Sequence, residues 1–450
     1  MQKFLFARIE VWVLLAVILL GALGLIGFGG AVIEHTEGRH RLSFIGKAAV
    51  AVARMPLTVE TVLRNENPMW TPRQDRFDGQ SGWTWDNAPT DSGYWLMSWF
   101  DVTRGRSVID MVRLSDGSVA HQWLPDFGRS LAGASQQSKV SQLANWKNGK
   151  FKVYVPYLTP EGALVVKSTD TPLIAYDGCA RQLWLQDGVM FHHSTESDGA
   201  GGIWVPSIIE PTGVKGVPQG FVDDGISHVG ADGAIIETIS LTEMMLRHGL
   251  QHLVFQIGDY DDDPLHVNDI QPVLSDGPYW KKGDLFLSLR RRSMVMLYRP
   301  STDEIVWMQQ GPWMGQHDVD ILDDRRIAVF NNRSQSRTTG VGTVDGTSEI
   351  LIYDFATGAA TSPFKEAMAR EKVEALYEGL YTFLPSGELV IEDHNSGRIL
   401  FLAADGSKLG QFINRGPDGK VYEIGWGRYI DQASGDAALQ IWQGQSCSAG

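Results

Sequence analysis

Beyond residue 93 the chain alternates apolar and polar positions in short runs separated by small polar turns, the period-two pattern of half-buried β-strands. Six segments read as hairpins. They are 107–124 around Asp116-Gly117, 173–184 around Asp177-Gly178, 226–241 around Asp232-Gly233, 294–307 around Ser301-Thr302-Asp303, 349–364 around Thr357-Gly358 and 398–412 around Ala404-Asp405-Gly406. Asp-Gly between apolar alternations is a strong hairpin signal, because glycine tolerates positive φ. Six further strand pairs alternate with the hairpins, at 151–167, 191–207, 266–290, 317–333, 380–395 and 428–443. Recurrence roughly every 50 to 70 residues marks a repeat architecture. One pair plus the next hairpin makes a four-stranded sheet. The pair at 428–443 has no hairpin after it, and the hairpin at 107–124 has no pair before it, so joining them closes a ring. The expectation is an all-β, six-bladed β-propeller over residues 93–445, with N-terminal strands completing the C-terminal blade. Such a ring exposes few sheet edges. A seventh blade seeded by residues 93–101 is the structural rival. Helix is expected in the body only at 241–248 and 364–378, and residues 446–450 form a short tail.

The pattern before residue 93 is different. No residue from 11 to 33 is charged, and about 20 such residues span a bilayer as a helix. The run exceeds the 7–15 apolar residues usual in a signal peptide, and Gly27-Phe28-Gly29-Gly30-Ala31 is a poor cleavage site. Residues 1–35 are therefore expected to be a cytoplasmic tip and an uncleaved transmembrane helix. Lys3 and Arg8 precede the run, while Arg39, Arg41, Lys47 and Arg54 follow it, so flanking charge does not fix the orientation. Long domains translocate largely regardless of such charge, which places the body in the periplasm of a cell with two membranes. Residues 36–92 read as a juxtamembrane segment, helical near 40–63, followed by an extended arm rich in Trp, Pro, Asp and Asn.

The repeat phase brings chemistry together. Aligned on their second strands, the pairs set His193 over His317 and His394 over Asn332. His266 opens the first strand of its pair and Arg290 ends the second. His317 begins a strand that turns at 323–325, and its partner ends in Asn331, Asn332 and Arg333. In an antiparallel pair these ends share one edge. His193, His266, His317, His394, Arg290 and Arg333 are thus expected at one mouth of the channel. A lone histidine at a strand end is ordinarily a structural or solvent-facing residue. Four at equivalent edges, out of 11 in the chain, point to a shared site.

The net charge of −14 argues against nucleic acid as a partner, because phosphate backbones need basic surfaces. Neither a glycosidase-like carboxylate pair nor a Gly-x-Ser-x-Gly elbow is present. A mixed His/Arg cluster suits a substrate with an anionic ester group, whose oxygens arginine forks bind in pairs. A metal site would use three histidines with a carboxylate such as Asp318 or Asp269, and no metal or cofactor is assigned. The acidic run at 259–263 reads as a solvated loop, with calcium binding the minority alternative. Trp204, Trp313 and Trp426 are candidates to stack on a substrate ring, against core packing between blades. Cys179 and Cys447 form one disulfide or remain two thiols.

Several strings resemble the bacterial arylsulfotransferase family. They are His192-His193-Ser194 with Gly201-Gly202-Ile203-Trp204-Val205, Leu265-His266-Val267-Asn268-Asp269-Ile270, the segment 283–290, and Gly315-Gln316-His317-Asp318 with Asn331-Asn332-Arg333. The resemblance covers roughly residues 95–445. It implies a periplasmic six-bladed propeller that moves a sulfuryl group from a phenolic sulfate ester to another phenol, without a nucleotide sulfate donor. It also implies a ping-pong route through a sulfated histidine. On that resemblance His394 is the nucleophile, His266 and His317 polarise the ester, and Arg333 holds its oxygens, with Arg337 as rival. Glu392 and Asp393 are placed to orient the His394 ring. His193, Arg290, Asn331 and Asn332 would bind substrate. The partners expected are an aryl sulfate, a phenolic acceptor, the membrane through the N-terminal helix, and membrane proteins beside it. A non-catalytic, membrane-tethered binding or assembly module is the competing reading, and a metal-dependent hydrolase the third.

Overall fold

The computed structural model describes residues 10–36, 42–64, 69–134, 148–218, 220–255, 261–338, 341–445 and 447. The side chains of Ser43, Arg54, residues 56–64, residues 336–338 and Val341 lie outside that description, which takes in the rival arginine Arg337. The chain divides into two units, residues 1–68 and 69–450.

The first unit is helical. Helix Val11–Thr36 has 26 residues, about 39 Å at 1.5 Å per residue, more than the ~30 Å hydrocarbon core of a bilayer. Its apolar side chains are exposed along most of its length, as a helix solvated by lipid would leave them. It is a candidate membrane anchor. Helix Ser43–Arg64 follows, where the sequence predicted a helical juxtamembrane segment.

The second unit is mostly β and propeller-like. All six predicted hairpins are present, for example Arg106–Arg113 with Val119–Trp123 and Arg398–Leu402 with Lys408–Ile413. Four sheets of four or five strands stand as separate blades. One contains Val267–Pro272, Leu285–Leu289, Met294–Arg299 and Glu304–Gln310. The next contains His317–Ile321, Arg326–Asn331, Glu349–Asp354 and Ala359–Thr361. A third runs from Leu380–Phe383 to Lys408–Ile413 and gains Gly82–Trp85 at its outer edge, so part of the expected arm is a strand. The fourth is closed by the chain ends, because Arg428–Ile430 pairs with Tyr94–Asp101. The strands between residues 157 and 240 form one eight-stranded sheet, in which Gln182–Phe191 joins Thr171–Tyr176 to Ile203–Ile208.

Each sheet shares a hydrophobic core with the next, and the last with the first. Val319, Ile327 and Val329 pack on Phe286, Val295 and Leu297, and Trp95, Met97 and Val112 pack on Val390, Ile399 and Phe401. Carboxylates tie successive inner edges together. Asp224 accepts the Val267 N–H at 3.2 Å, Asp269 the Val319 N–H at 2.8 Å, and Asp318 the Tyr381 N–H at 2.8 Å. Glu392 accepts the Gly427 N–H at 2.9 and 3.0 Å. Buried backbone donors at sheet edges need such acceptors, and here they also set the order of the sheets.

Some predicted elements differ, and short helices Phe127–Leu131 and Gln251–Val254 stand where none was expected. Residues 428–443 are not a strand pair. After the short strand Arg428–Ile430 the chain enters helix Gln432–Gln443. Asp431 caps it, accepting from Ser434 N at 2.9 Å and Ser434 Oγ at 2.6 Å. Its buried residues Gly435, Ala438 and Trp442 recur at helical spacing, and a Cβ at Gly435 would meet the Tyr94 ring. The helix predicted at 364–378 is only Lys365–Arg370. Cys179 and Cys447 form a disulfide, with Cα atoms 5.2 Å apart, that fastens the tail to the turn at 177–181.

Candidate active site

The inner strand ends deliver the imidazoles. His317 and Val267 take equivalent places, so His266 stands one residue earlier, and the ladders slip by one residue between His317 and Val319 and between Val267 and Asp269. Bulges of this kind re-aim side chains. His193 and His266 take left-handed φ of 52° and 53°. That conformation is strained for a non-glycine residue and persists only where neighbours enforce it. For His193 one such neighbour is the buried Lys167 ammonium, which donates to the His193 carbonyl at 2.6 Å, Thr195 Oγ1 at 2.7 Å and the Tyr154 carbonyl at 3.3 Å.

The rings meet. The His193 centroid lies 5.0 Å from that of His266 and 6.3 Å from that of His317. Trp426 stands among them, 5.6 Å from His193, 6.0 Å from His317 and 5.9 Å from His394. The four predicted histidines therefore share one neighbourhood, His394 through its contact with Trp426. Of the three tryptophans, only Trp426 is here. Trp204 stacks on His228 at 4.6 Å, and Trp313 is buried in a core between two blades.

Three rings share one hydrogen-bonding pattern. His317 Nδ1 donates to Asn332 Oδ1 at 2.8 Å. The orientation of Asn332 is fixed because its Nδ2 donates to the carbonyls of Ala375 and Glu378. His266 Nδ1 bonds the Asp263 carboxylate, and His193 Nδ1 bonds His192 Nδ1 at 2.7 Å. In each case Nδ1 is engaged by a partner, and Nε2 has no hydrogen-bond partner among the described residues. His394 differs. Its Nδ1 accepts the Gly379 N–H at 3.1 Å and its Nε2 donates to the Gly425 carbonyl at 3.2 Å. Both glycines are required for close approach: a Cβ would lie 2.4 Å from Phe330 at Gly379 and 2.2 Å from the Val153 carbonyl at Gly425.

Burial sets the protonation. It holds the His193 ring well below the usual imidazole value, helped by neighbouring His192, His266 and His317. Burial and then the Arg290 charge do the same for His317, against the opposing Asn332 bond. His394 is pulled down to about 3 by burial, although Glu378 opposes it. All three are neutral at pH 7. Burial pushes the Asp263 carboxyl up, but the His266 bond and charge outweigh it and leave it below its ordinary value.

The arginines separate. Arg333 Nη2 is paired with Asp345 at 3.1 Å, and its Nε stands 4.0 Å from Glu349. Arg290 makes no ion pair among the described residues, and its Nε is buried without an acceptor. Its charge acts on His317, and its backbone N–H donates to the His266 carbonyl at 3.1 Å. Asn331 turns its amide away from the rings, accepting from Met314 N at 2.8 Å and Arg333 N at 3.2 Å. Glu392 holds Gly427 and Asp393 holds Arg76 and Arg398, so neither carboxylate orients His394.

Sequence reasoning missed several members. Asp263 is a partner of His266 rather than a solvated loop residue; residues 259 and 260 of that run lie outside the described residues. Its i, i+3 spacing across Pro264 was the available signal. Beside the site, Lys152 bridges Glu378 at 2.6 Å and Glu423 at 3.0 Å, and Tyr154 donates to Glu378 at 2.9 Å. No local pattern marks that network. Among the described residues no three His, Cys, Asp or Glu side chains are placed to hold one metal ion.

A family model described as arylsulfotransferase (ASST) matches residues 165–415, more than half of the chain. No curated protein matches the sequence. Among solved structures, a protein of unknown function from Bacteroides caccae is 12% identical, covers 75% of this chain and 99% of its own, and superposes with a TM-score of 0.47. The nidogen/laminin complex structure gives 9% identity, 75% and 97% coverage and a TM-score of 0.40. A streptogramin B lyase gives 12%, 78% and 98%, and 0.37. None of these structural likenesses bears on function.

Proposed function

The chain belongs to the arylsulfotransferase family, and from that premise we propose that it moves a sulfuryl group from a phenolic sulfate ester to an acceptor phenol through a histidine, without a nucleotide sulfate donor. One observation carries the chemistry: among the described residues, three neutral or carboxylate-held imidazoles keep Nε2 open and Arg290, whose charge acts on His317, has no ion-pair partner. Arg290 binds the sulfuryl oxygens, where charge accumulates as the ester bond loosens. His317 Nε2 attacks sulfur. The N–S bond forms, the S–O bond to the aryl oxygen breaks, and the phenolate leaves with the bonding pair. His266, backed by Asp263, supplies the proton to that oxygen and recovers one from the acceptor phenol, whose attack on sulfur releases His317.

We place the attack on His317 rather than His394 because both His394 nitrogens are already bonded to backbone, whereas His317 loses nothing by using its open lone pair. His394 then serves as the wall behind Trp426. The fold reading that accompanies this is six blades. The eight-stranded sheet counts as two, since Val165, Leu173 and Ala175 pack face to face on Ile203, Val205 and Val229 within it. Helix Val11–Thr36 anchors the enzyme, and the Cys179–Cys447 disulfide supports an oxidising, periplasmic compartment for the body.

The test is incubation of the full chain in detergent with 4-nitrophenyl sulfate and phenol, with a quenched digest searched for a histidine carrying SO3. Release of 4-nitrophenolate with the label on the His317 peptide is expected. A label on the His394 peptide moves the nucleophile to that residue. No release from folded protein overturns the enzyme reading and leaves a tethered binding module.

A further inference from the structure

A second concentration of charge lies away from the imidazoles, in a cavity of about 440 Å³. Six basic side chains line it, Arg73, Arg76, Arg370, Lys372, Arg398 and Lys408, against the carboxylates of Asp75 and Glu371. In a chain of net charge −14 this is a local reversal of sign.

Two of the cations are fully occupied. Arg73 is paired with Asp75 at 3.2 Å and with Glu374. Arg76 donates to Ser396 at 2.8 Å, to Asp393 at 3.4 Å and to the carbonyls of Glu371 and Lys372. Of the other four, Arg398 is paired through Nη2 with Asp393 at 3.1 Å and donates to the Glu371 carbonyl at 2.9 Å, while the remaining three are poorly neutralised. Arg398 Nη1 and Lys408 Nζ stand 3.8 and 3.9 Å from the same Glu371 oxygen, so one carboxylate is shared at long range by two charges. Arg370 is exposed and donates to the Gly406 carbonyl at 2.6 Å. Lys372 is exposed and makes no ion pair among the described residues.

Arg398 is the telling member. It is 1% exposed, and its Nε is buried with no acceptor among the described residues. Asp393 meets the charge through Nη2, but a buried N–H left unmet is itself costly, and such groups stand where something else completes them. The cavity wall also holds the guanidinium planes in place. The Arg76 and Arg398 Cζ atoms lie 4.8 and 4.7 Å from the centroid of the Phe77 ring.

We propose that this cavity binds a phosphate monoester, its dianionic head held by Arg398, Arg370, Lys408 and Lys372. The volume accommodates a small organic group as well as the head. A soluble phosphate ester and a phosphate-bearing lipid headgroup offer the same chemistry, and the test separates them.

Full-length protein in detergent is titrated calorimetrically with inorganic phosphate, with glycerol 3-phosphate, and with a short-chain phosphatidic acid kept below its micelle concentration. Saturable binding of at least one is expected. It should weaken about tenfold or more in the Arg370→Gln/Lys408→Gln double variant, whose altered side chains sit outside the core, and should weaken with added salt. Circular dichroism checks that the double variant is folded. Phosphatidic acid binding about tenfold tighter than glycerol 3-phosphate assigns a lipid headgroup, and equal binding assigns a soluble ester. Absence of saturable binding of all three probes to folded protein, or undiminished binding in the double variant, overturns the site.

Discussion

His317 Nδ1 lies 2.8 Å from the side-chain oxygen of Asn332, and the Asn332 amide nitrogen is tied to the carbonyls of Ala375 and Glu378. Only the amide oxygen can face the ring, so His317 carries its proton on Nδ1 and keeps its lone pair on Nε2. Both ends of the Asn332 amide are thus engaged within the protein, which suits it to positioning His317.

Asn332→Asp should leave the ring oriented but stabilise its charged form, because a carboxylate replaces a neutral oxygen. The acidic limb of the kcat/KM profile for 4-nitrophenyl sulfate should move to higher pH, with turnover near neutrality about tenfold slower. In the wild type burial holds His317 well below the ordinary value, so activity should persist as pH falls through 6.5. An unshifted limb in a folded variant would separate Asn332 from the chemistry.

Arg290→Gln should lower kcat/KM by about 10²-fold, the scale of losing one charged oxyanion donor. Arg333→Gln, which removes the partner of Asp345, should stay within about threefold. The reverse order of effects would return the anion-binding role to Arg333.

Glu392 is raised to about 8, chiefly by burial against the opposing Gly427 N–H bond. A carboxyl whose folded pKa is raised binds its proton more tightly when folded. Its contribution is complete below the unfolded value near 4.3 and is lost as pH rises towards 8. Stability of the wild type relative to Glu392→Gln should therefore decline between about pH 5 and 8, and flatten above that. Urea midpoints across pH measure it, and a constant difference would exclude a buried, protonated Glu392.

The Cys179–Cys447 bond closes a loop spanning 268 positions and secures the helix whose Trp442 indole donates to the Gly162 carbonyl at 2.8 Å. Cys447→Ser should cost about 2–5 kcal/mol in urea unfolding, since long closed loops restrict the unfolded chain most. Dithiothreitol should destabilise the wild type by a similar amount and leave the variant unchanged. Equal sensitivity of both would mean that the cysteines act separately.

The sequence alone settled what depends on local period. Alternation fixed the strands, the small polar turns fixed the hairpins, and the uncharged run fixed the N-terminal helix. Repeat alignment anticipated that His193, His266, His317 and His394 lie near one another, although only His317 is in a strand and the others stand in the turns and loops beside strand ends. Period failed at 428–443, where the Asp431 cap and the helical spacing of Gly435, Ala438 and Trp442 override the repeat. Tertiary structure decided the rest: that Asp263 backs His266, that backbone engages both nitrogens of His394, that Asp345 neutralises Arg333 while Arg290 stays unpaired, and that Cys179 meets Cys447. Each of these depends on which polar atom reaches which across separate turns, loops and blades. Hydrogen bonds and ion pairs act over a few ångströms in space, and no spacing along the chain encodes that distance.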